Sequence, residues 1–404
     1  MMEPKIRFKK FCGGWDVRPL ADFFTKVTAK NFNMKYSAVL TNSAEYGIID
    51  QRDYFDFDVA NSNNIGGYYV VHPDDFVYNP RVSVTAPVGP INRNRLGYSG
   101  VMSPLYLVFQ INGINKDFLC HYYKTNKWHR FMRLSGNCGA RFDRLSISDD
   151  QFIQMPISFP RDCTEQQAIC DYLDNLDTLI ASSTSRLTSL KQMKAASLQA
   201  MFPQEGETKP KIRFKGFEGE REKVSFSEIS FHAGLKNRDN LPLESYSISN
   251  EHGFIPQDEQ FENGGTMTNA DKTMYYIVSP NSFAYNPARI NVGSLGYYDG
   301  NQDVIVSSLY EVFKTNEDTD DRFLLYWFKT DFFKKKIEQF QEGGVRLYFF
   351  YDKLCKCDML RPSLAEQQAI ASYFTSLDRQ ITLQSQRLEK LKQIKAACLD
   401  KMFV

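Results

Sequence analysis

The chain of 404 residues has only five histidines (His72, His121, His129, His232 and His252), and none stands at a metal-ligand spacing from another. Its eight cysteines (Cys12, Cys120, Cys138, Cys163, Cys170, Cys355, Cys357 and Cys398) include no C-x-x-C pair. Cys355 and Cys357 are the one close pair, and without a second pair or a nearby histidine they make a poor zinc site. Reduced, structural cysteines are expected. A G-x-x-x-x-G-K-[ST] phosphate loop is also missing, which argues against a nucleotide-driven motor or nuclease. No run approaches the ~18 apolar residues of a membrane span. The opening MMEPKIRFKK lacks the apolar core of a signal peptide, so a cytoplasmic location is expected. With a net charge of +1 the chain has no global field, and any nucleic-acid binding must rest on local patches.

What is present is an ordinary globular composition, 42% hydrophobic and 24% charged, rich in Phe (32) and Tyr (22). The length suffices for two or more domains. The chain also repeats itself. Pro4–Phe11 returns as Pro210–Phe217 with seven of eight positions identical, and Glu165–Phe202 returns as Glu366–Phe403 with 20 of 38 identical. A period just over 200 residues is one domain-sized unit used twice, not a solenoid. Between the matching ends a skeleton persists. Tyr68–Pro73 aligns with Tyr275–Pro280, Phe76–Pro80 with Phe283–Pro287, Leu96-Gly-Tyr98 with Leu295-Gly-Tyr297, and Ser103–Phe109 with Ser307–Phe313. Aromatic and β-branched runs bounded by Pro, Asn and Gly predict short strands and turns. Phe118–Thr125 and Phe323–Thr330 predict a short helix in each copy. Each half is expected to be α+β, with a mostly antiparallel or mixed sheet.

From Thr164 to Phe202, and again from Ala365 to Val404, there is neither Gly nor Pro. Ile169, Leu176 and Leu190 fall on one seven-residue series and Leu173, Ile180, Leu187 and Met201 on a second, offset by four. The later copy repeats this with Ile370, Leu377 and Leu391, and with Phe374, Ile381, Leu388 and Met402. Alternating steps of four and three predict an a/d seam, on helices about 58 Å long at 1.5 Å per residue. Thr164 and Gln167 predict a capping box at the first helix start. Ser183, Lys194, Gln384 and Lys395 interrupt the seam. They are read either as register-setting polar residues or, for the lysines, as solvated positions.

The expected fold class is therefore α+β, with two similar globular domains linked by two long helices forming an antiparallel coiled coil with a pseudo-two-fold internal repeat. The expected boundaries are 1–163, 164–203, 204–364 and 365–404. Such symmetry suits two half-sites about one helical turn, ~34 Å, apart on one duplex. Because the two middles differ, the half-sites should differ, with the helices as a ruler between them.

The segments Glu165-Gln-Gln-Ala-Ile169 and Glu366-Gln-Gln-Ala-Ile370, each opening a long helix after a divergent domain, resemble the repeated regions of Type I restriction-modification specificity subunits. The Asn-Pro turns, Leu-Gly-Tyr segments and Ser-Pro-Leu-Tyr strand resemble the skeleton of that family's target recognition domains. The resemblance spans essentially the whole chain; Pro160-Arg-Asp-Cys-Thr stands where the family has Pro-Pro. It implies a non-catalytic subunit that reads an interrupted, asymmetric sequence in double-stranded DNA. It further implies docking of two modification (adenine methyltransferase) subunits, joined by restriction (translocase and nuclease) subunits. S-adenosylmethionine, Mg and ATP would be held by those partners, and no cofactor or metal by this chain.

Arg pairs bidentately with guanine and Asn with adenine, and Lys and Arg take phosphates. In the first copy, Arg93, Asn94, Arg95 and Tyr98 form one polar turn. Lys124, Lys127, Arg130, Arg133, Arg141 and Arg144 follow against a single acid, Asp143. In the second copy the equivalents are Lys236, Arg238, Tyr297, Lys329, Lys334, Lys335, Lys336 and Arg346, diluted by Asp331, Glu338 and Glu342. Arg141 and Arg346 follow matching Gly-rich turns. The seam residues Ile169, Leu173, Leu176, Ile180, Leu187, Leu190, Ile370, Phe374, Leu377, Ile381, Leu388 and Leu391 are the expected helix-pair and partner interface. Two rival readings stand beside this one. An adenine methyltransferase would use the Asn-Pro pairs of Tyr78-Asn-Pro80 and Tyr285-Asn-Pro287, but Arg81 and Ala288 break the Asn-Pro-Pro-aromatic pattern. A coiled-coil interaction scaffold would explain the helices and leave the basic domains without a purpose.

Overall fold

The long Gly- and Pro-free segments form two helices, Cys163–Met201 and Leu364–Lys401, here the central and distal helices. The computed structural model describes residues 3–54, 62–137, 143–250, 252–260 and 271–404. The central helix starts one residue before Thr164, and its cap is not the expected Thr164–Gln167 box. Asp162 Oδ1 accepts from both the backbone N–H and the hydroxyl of Thr164, each at 2.7 Å. A carboxylate holds the orphan donors of a first turn, and suits the positive helix end, better than a hydroxyl. Gln167 turns instead to Asn115 and Asp171.

The chain divides into two compact units that do not follow chain order. Unit 1 is residues 1–184 with 386–404, and unit 2 is residues 185–385. Each unit thus holds the start of one long helix and the end of the other. In unit 1 Ile169, Leu173 and Leu176 of the central helix and Cys398, Met402 and Phe403 at the distal end share one core with Trp15, Phe118 and Trp128. In unit 2 Leu190, Met201 and Phe202 share a core with Phe323, Trp327, Ile370, Phe374 and Leu377. The helix segments run antiparallel within each unit: Lys395 bonds Asp177 in unit 1, and in unit 2 Lys194 bonds Asp378 at 2.5 Å while Ser197 meets Tyr373 at 2.9 Å. Both seam lysines therefore have a carboxylate on the facing helix. Of the expected seam, Ile180, Leu187, Ile381 and Leu391 are half-buried and the other eight are buried.

The units carry the same strands. A four-stranded antiparallel sheet orders Phe24–Lys26, Leu107–Ile111, Phe76–Tyr78 and Ile91–Arg93 in unit 1. Ser230–His232, Glu311–Thr315, Ser282–Tyr285 and Leu295–Tyr298 do the same in unit 2. Phe76 stacks on its cross-strand partner Phe109, and Phe283 on Phe313, with ring centroids 5.7 and 5.0 Å apart. A two-stranded ribbon, Asp16–Pro19 with Pro156–Phe159 or Glu222–Ser225 with Asp358–Arg361, leads into each long helix. Unit 2 has a further five-stranded mixed sheet in which Ser245–Ser249 runs parallel to Val304–Val306. In unit 1 the corresponding parallel pairing is thinned to a single bridge, Val39 to Val101. The short helices appear as Lys116–Tyr123 and Asp321–Trp327, capped by the side chains of Asn115 and Asp320. Among the described residues no helix is long and apolar enough to cross a membrane.

One sequence match is overturned by strand register. Tyr78 faces Ile91 and Phe76 faces Arg93, while Tyr285 faces Leu295 and Phe283 faces Tyr297. Ile91 is thus the counterpart of Leu295, and Arg93 that of Tyr297. Leu96–Tyr98 lies beyond the strand in a bend, so its likeness to Leu295–Tyr297 is local identity without structural equivalence.

Candidate nucleic-acid interface

The repeated motifs build the frame on which the loops stand. Glu165, buried at the start of the central helix, accepts two 2.7 Å bonds from the Arg7 guanidinium, and burial leaves that pair little competing water. Glu366 accepts from Arg213 at 3.0 and 2.6 Å and from Arg221 at 2.7 Å. Arg221, whose side chain is 1% exposed, also donates to the carbonyl of Met201 at 3.2 Å, taking an orphan group at the end of the central helix. Desolvation lowers the pKa of Arg221 below its usual value, against the pull of Glu366. The next residue, Gln166 or Gln367, accepts from the backbone N–H of Asn115 or Asp320 and donates to the carbonyl of Pro160 or Pro362. Each Glu-Gln-Gln segment therefore ties a long helix to the short helix of its own unit. The two Asn-Pro pairs are turns: Asn79 Oδ1 accepts from Arg81 N–H and Asn286 Oδ1 from Ala288 N–H, both at 3.0 Å.

The basic candidates of unit 1 separate into three groups. Arg93 and Arg95 converge on Asp117 at 3.0 and 2.5 Å, and Arg93 also pairs with Asp74. Asn94 is fully buried, spending its amide on the Tyr98 carbonyl and its oxygen on Leu96 N–H, so it fixes the turn. Tyr98 is exposed. Lys124 and Lys127 reach Asp177 at 3.6 Å and Asp400 at 4.0 Å, toward the long helices. Arg130 and Arg133, on the helix His129–Ser135, are exposed and form no ion pair among the described residues. Arg141 lies outside the described residues. His121, Asp174 and Asp177 could share a metal ion by distance. Asp177, however, already bonds Lys395 and lies beside Lys124, so its charge is matched by cations.

In unit 2 Lys236 sits over the Tyr276 ring at 3.7 Å and donates to the Met274 carbonyl. Lys329 lies over Tyr326 at 5.3 Å. Lys334, Lys335 and Lys336 pair with Asp331, Glu205 and Asp358. Tyr297 donates its hydroxyl to Asn281 at 2.8 Å, and burial raises its pKa. Arg238 and Arg346 are exposed and have no ion-pair partner among the described residues. Arg346 rides a loop closed by the bridge Glu342–Tyr348, next to the fully exposed Val345. In unit 1 an antiparallel bridge joins Asn137 and Ser146. Exposed pairs such as Lys334–Asp331 are worth little in water, so a phosphate can replace the carboxylate. Arg144 closes the basic run, but nothing local pairs it with Arg81; the bridge that joins them is a tertiary one.

Two α+β units of one design, differing in the side chains their loops present, define a duplicated recognition protein. The family model for the Type I restriction modification DNA specificity domain matches residues 13–192 and 253–393, and the chain belongs to that family. In fold it is similar to the Type-I restriction-modification system S subunit from M. genitalium (TM-score 0.54, 13% identity, covering 100% of this chain and 99% of that one). It is also similar to the HsdS subunit from Thermoanaerobacter tengcongensis (TM-score 0.50, 14% identity, 98% and 97% covered). A chain from a structure of complex assembly and conformational transition of the type I R-M system matches as well (TM-score 0.52, 13% identity, 98% of each chain). No curated protein matches by sequence.

Proposed function

We propose that each unit reads one half of an interrupted, asymmetric DNA target, and that the paired long helices set the gap between the halves and dock two modification subunits, with restriction subunits joining the assembly. The observation that carries this reading is that one fold is used twice with unlike loops, within a family defined by DNA specificity. Arg93, Arg95, Tyr98, Arg130, Arg133, Arg141, Arg238 and Arg346 are the proposed contacts, and Asn94, buried, acts only through the turn it holds. The chain supplies no catalytic group. S-adenosylmethionine belongs to the modification subunits, and ATP and Mg to the restriction subunits. Mapping methylated adenines across the genome in cells with and without this chain tests the reading. A two-part motif with a fixed gap, lost when the chain is removed, is expected; a continuous palindrome, or methylation indifferent to the chain, overturns it.

A further inference from the structure

In unit 1, Val82 N–H donates to the Asp143 carbonyl and Leu145 N–H to the Pro80 carbonyl, each at 2.9 Å. These bonds flank the antiparallel bridge between Arg81 and Arg144. The arginines are therefore a non-hydrogen-bonded cross-strand pair, the close kind with Cα atoms about 4.5 Å apart and both side chains on one face. Like charges set directly opposite destabilise a strand pair. Neither arginine has a carboxylate partner among the described residues, although surface cations in this chain commonly find one. Both line a cavity of about 470 Å³ whose wall also carries the hydroxyl residues Ser43, Ser83 and Ser103. The one acid on that wall, Glu45, is exposed and pairs with neither.

Two arginines set directly opposite on adjacent strands, lining one cavity with hydroxyl groups, suit a tetrahedral oxyanion, which can accept from both guanidiniums and cancel their repulsion. The geometry points to a phosphate clamp that takes a backbone phosphodiester of the DNA half-site read by unit 1, an assignment that rests on the DNA-reading role above. In unit 2 Phe349 N–H donates to the Pro287 carbonyl at 3.0 Å, so Ala288 and Tyr348 occupy the matching positions. The clamp thus belongs to one half-site only.

The test uses the full chain with its modification subunits and a duplex carrying the mapped motif. Binding is measured over a salt series for the wild type and for R81Q/R144Q. Loss of one phosphate contact lowers the slope of log K against log salt by about 0.9. A duplex with one neutral methylphosphonate in that half-site should bind the wild type more weakly and the variant without further loss. The free variant should melt no lower than the wild type, because the like-charge pair is gone. An unchanged slope overturns the clamp, and so does a lower melting temperature that tracks the loss of affinity. If inorganic phosphate raises the melting temperature of the wild type alone while DNA binding is equal, the site serves a small oxyanion and the DNA assignment is overturned. A wild type with no preference for the mapped motif overturns the reading role, yet the slope difference on any duplex still decides the clamp.

Discussion

Removing the carboxylate of Glu366 strands Arg221 in a site where its side chain is 1% exposed. Breaking a buried pair on one side costs about 3–5 kcal/mol, since the remaining guanidinium keeps only the Met201 carbonyl and no counter-charge. Glu366→Ala should lower stability by about that much in urea unfolding. At Glu165 the only cation paired with it among the described residues is Arg7, 16% exposed and able to turn toward solvent. Glu165→Ala should cost less, about 1–3 kcal/mol. Equal losses would mean that Arg221 adds nothing to the second site. The two copies thus carry the same acid in unequal surroundings: Trp15, packed on Phe118 and Phe403, precedes the ribbon of unit 1 where Arg221 precedes that of unit 2.

Just past the end of each long helix a phenylalanine closes a core. Phe403 lies against the rings of Trp15, Phe118 and Tyr122, and Phe202 against those of Phe323 and Phe374. Truncating a buried Phe costs about 3–5 kcal/mol through lost transfer energy and the cavity left behind. Phe403→Ala should therefore loosen unit 1 and spare unit 2. Amide exchange is the measurement: protection should fall in residues 1–184 and hold in 185–385. The helices themselves were legible in the sequence, because two long stretches without Gly or Pro and with a 4-3 apolar step allow little else. The α+β character and the skeleton strands were legible for the same reason, local pattern matching local structure. Tertiary pairing was not: Arg7 and Glu165 stand 158 residues apart, and nothing local to either names the other. Nor did the basic run between Lys124 and Arg133 act as one patch, because the turn joining the two short helices sends Lys124 and Lys127 toward acids on the long helices, while Arg130 and Arg133 lie exposed on the second short helix. The Leu-Gly-Tyr match failed because three identical residues say nothing about which strand positions they face.

At the scale of the molecule, residues 12–160 hold the strands and loops of unit 1 but only part of its core; the rest comes from the two long helices. Exchanging 12–160 for the matching segment of a relative should change one half of the methylated motif and leave the other half and the gap intact. Methylation mapping of the chimera reads this directly, and a change in both halves would contradict one unit per half-site. The exchange also needs a segment whose Trp15 and Phe118 positions accept Phe403.

Unit 1 is interrupted in sequence and unit 2 is not. During synthesis, at ~5–20 residues per second, domains generally fold in the order they emerge. Here residues 1–184 must wait for residues 386–404 before their interior is sealed, while residues 185–385 are already whole. A ribosome that stops shortly after Ser385 would release a chain whose damage lies in residues 1–184, far upstream of the break.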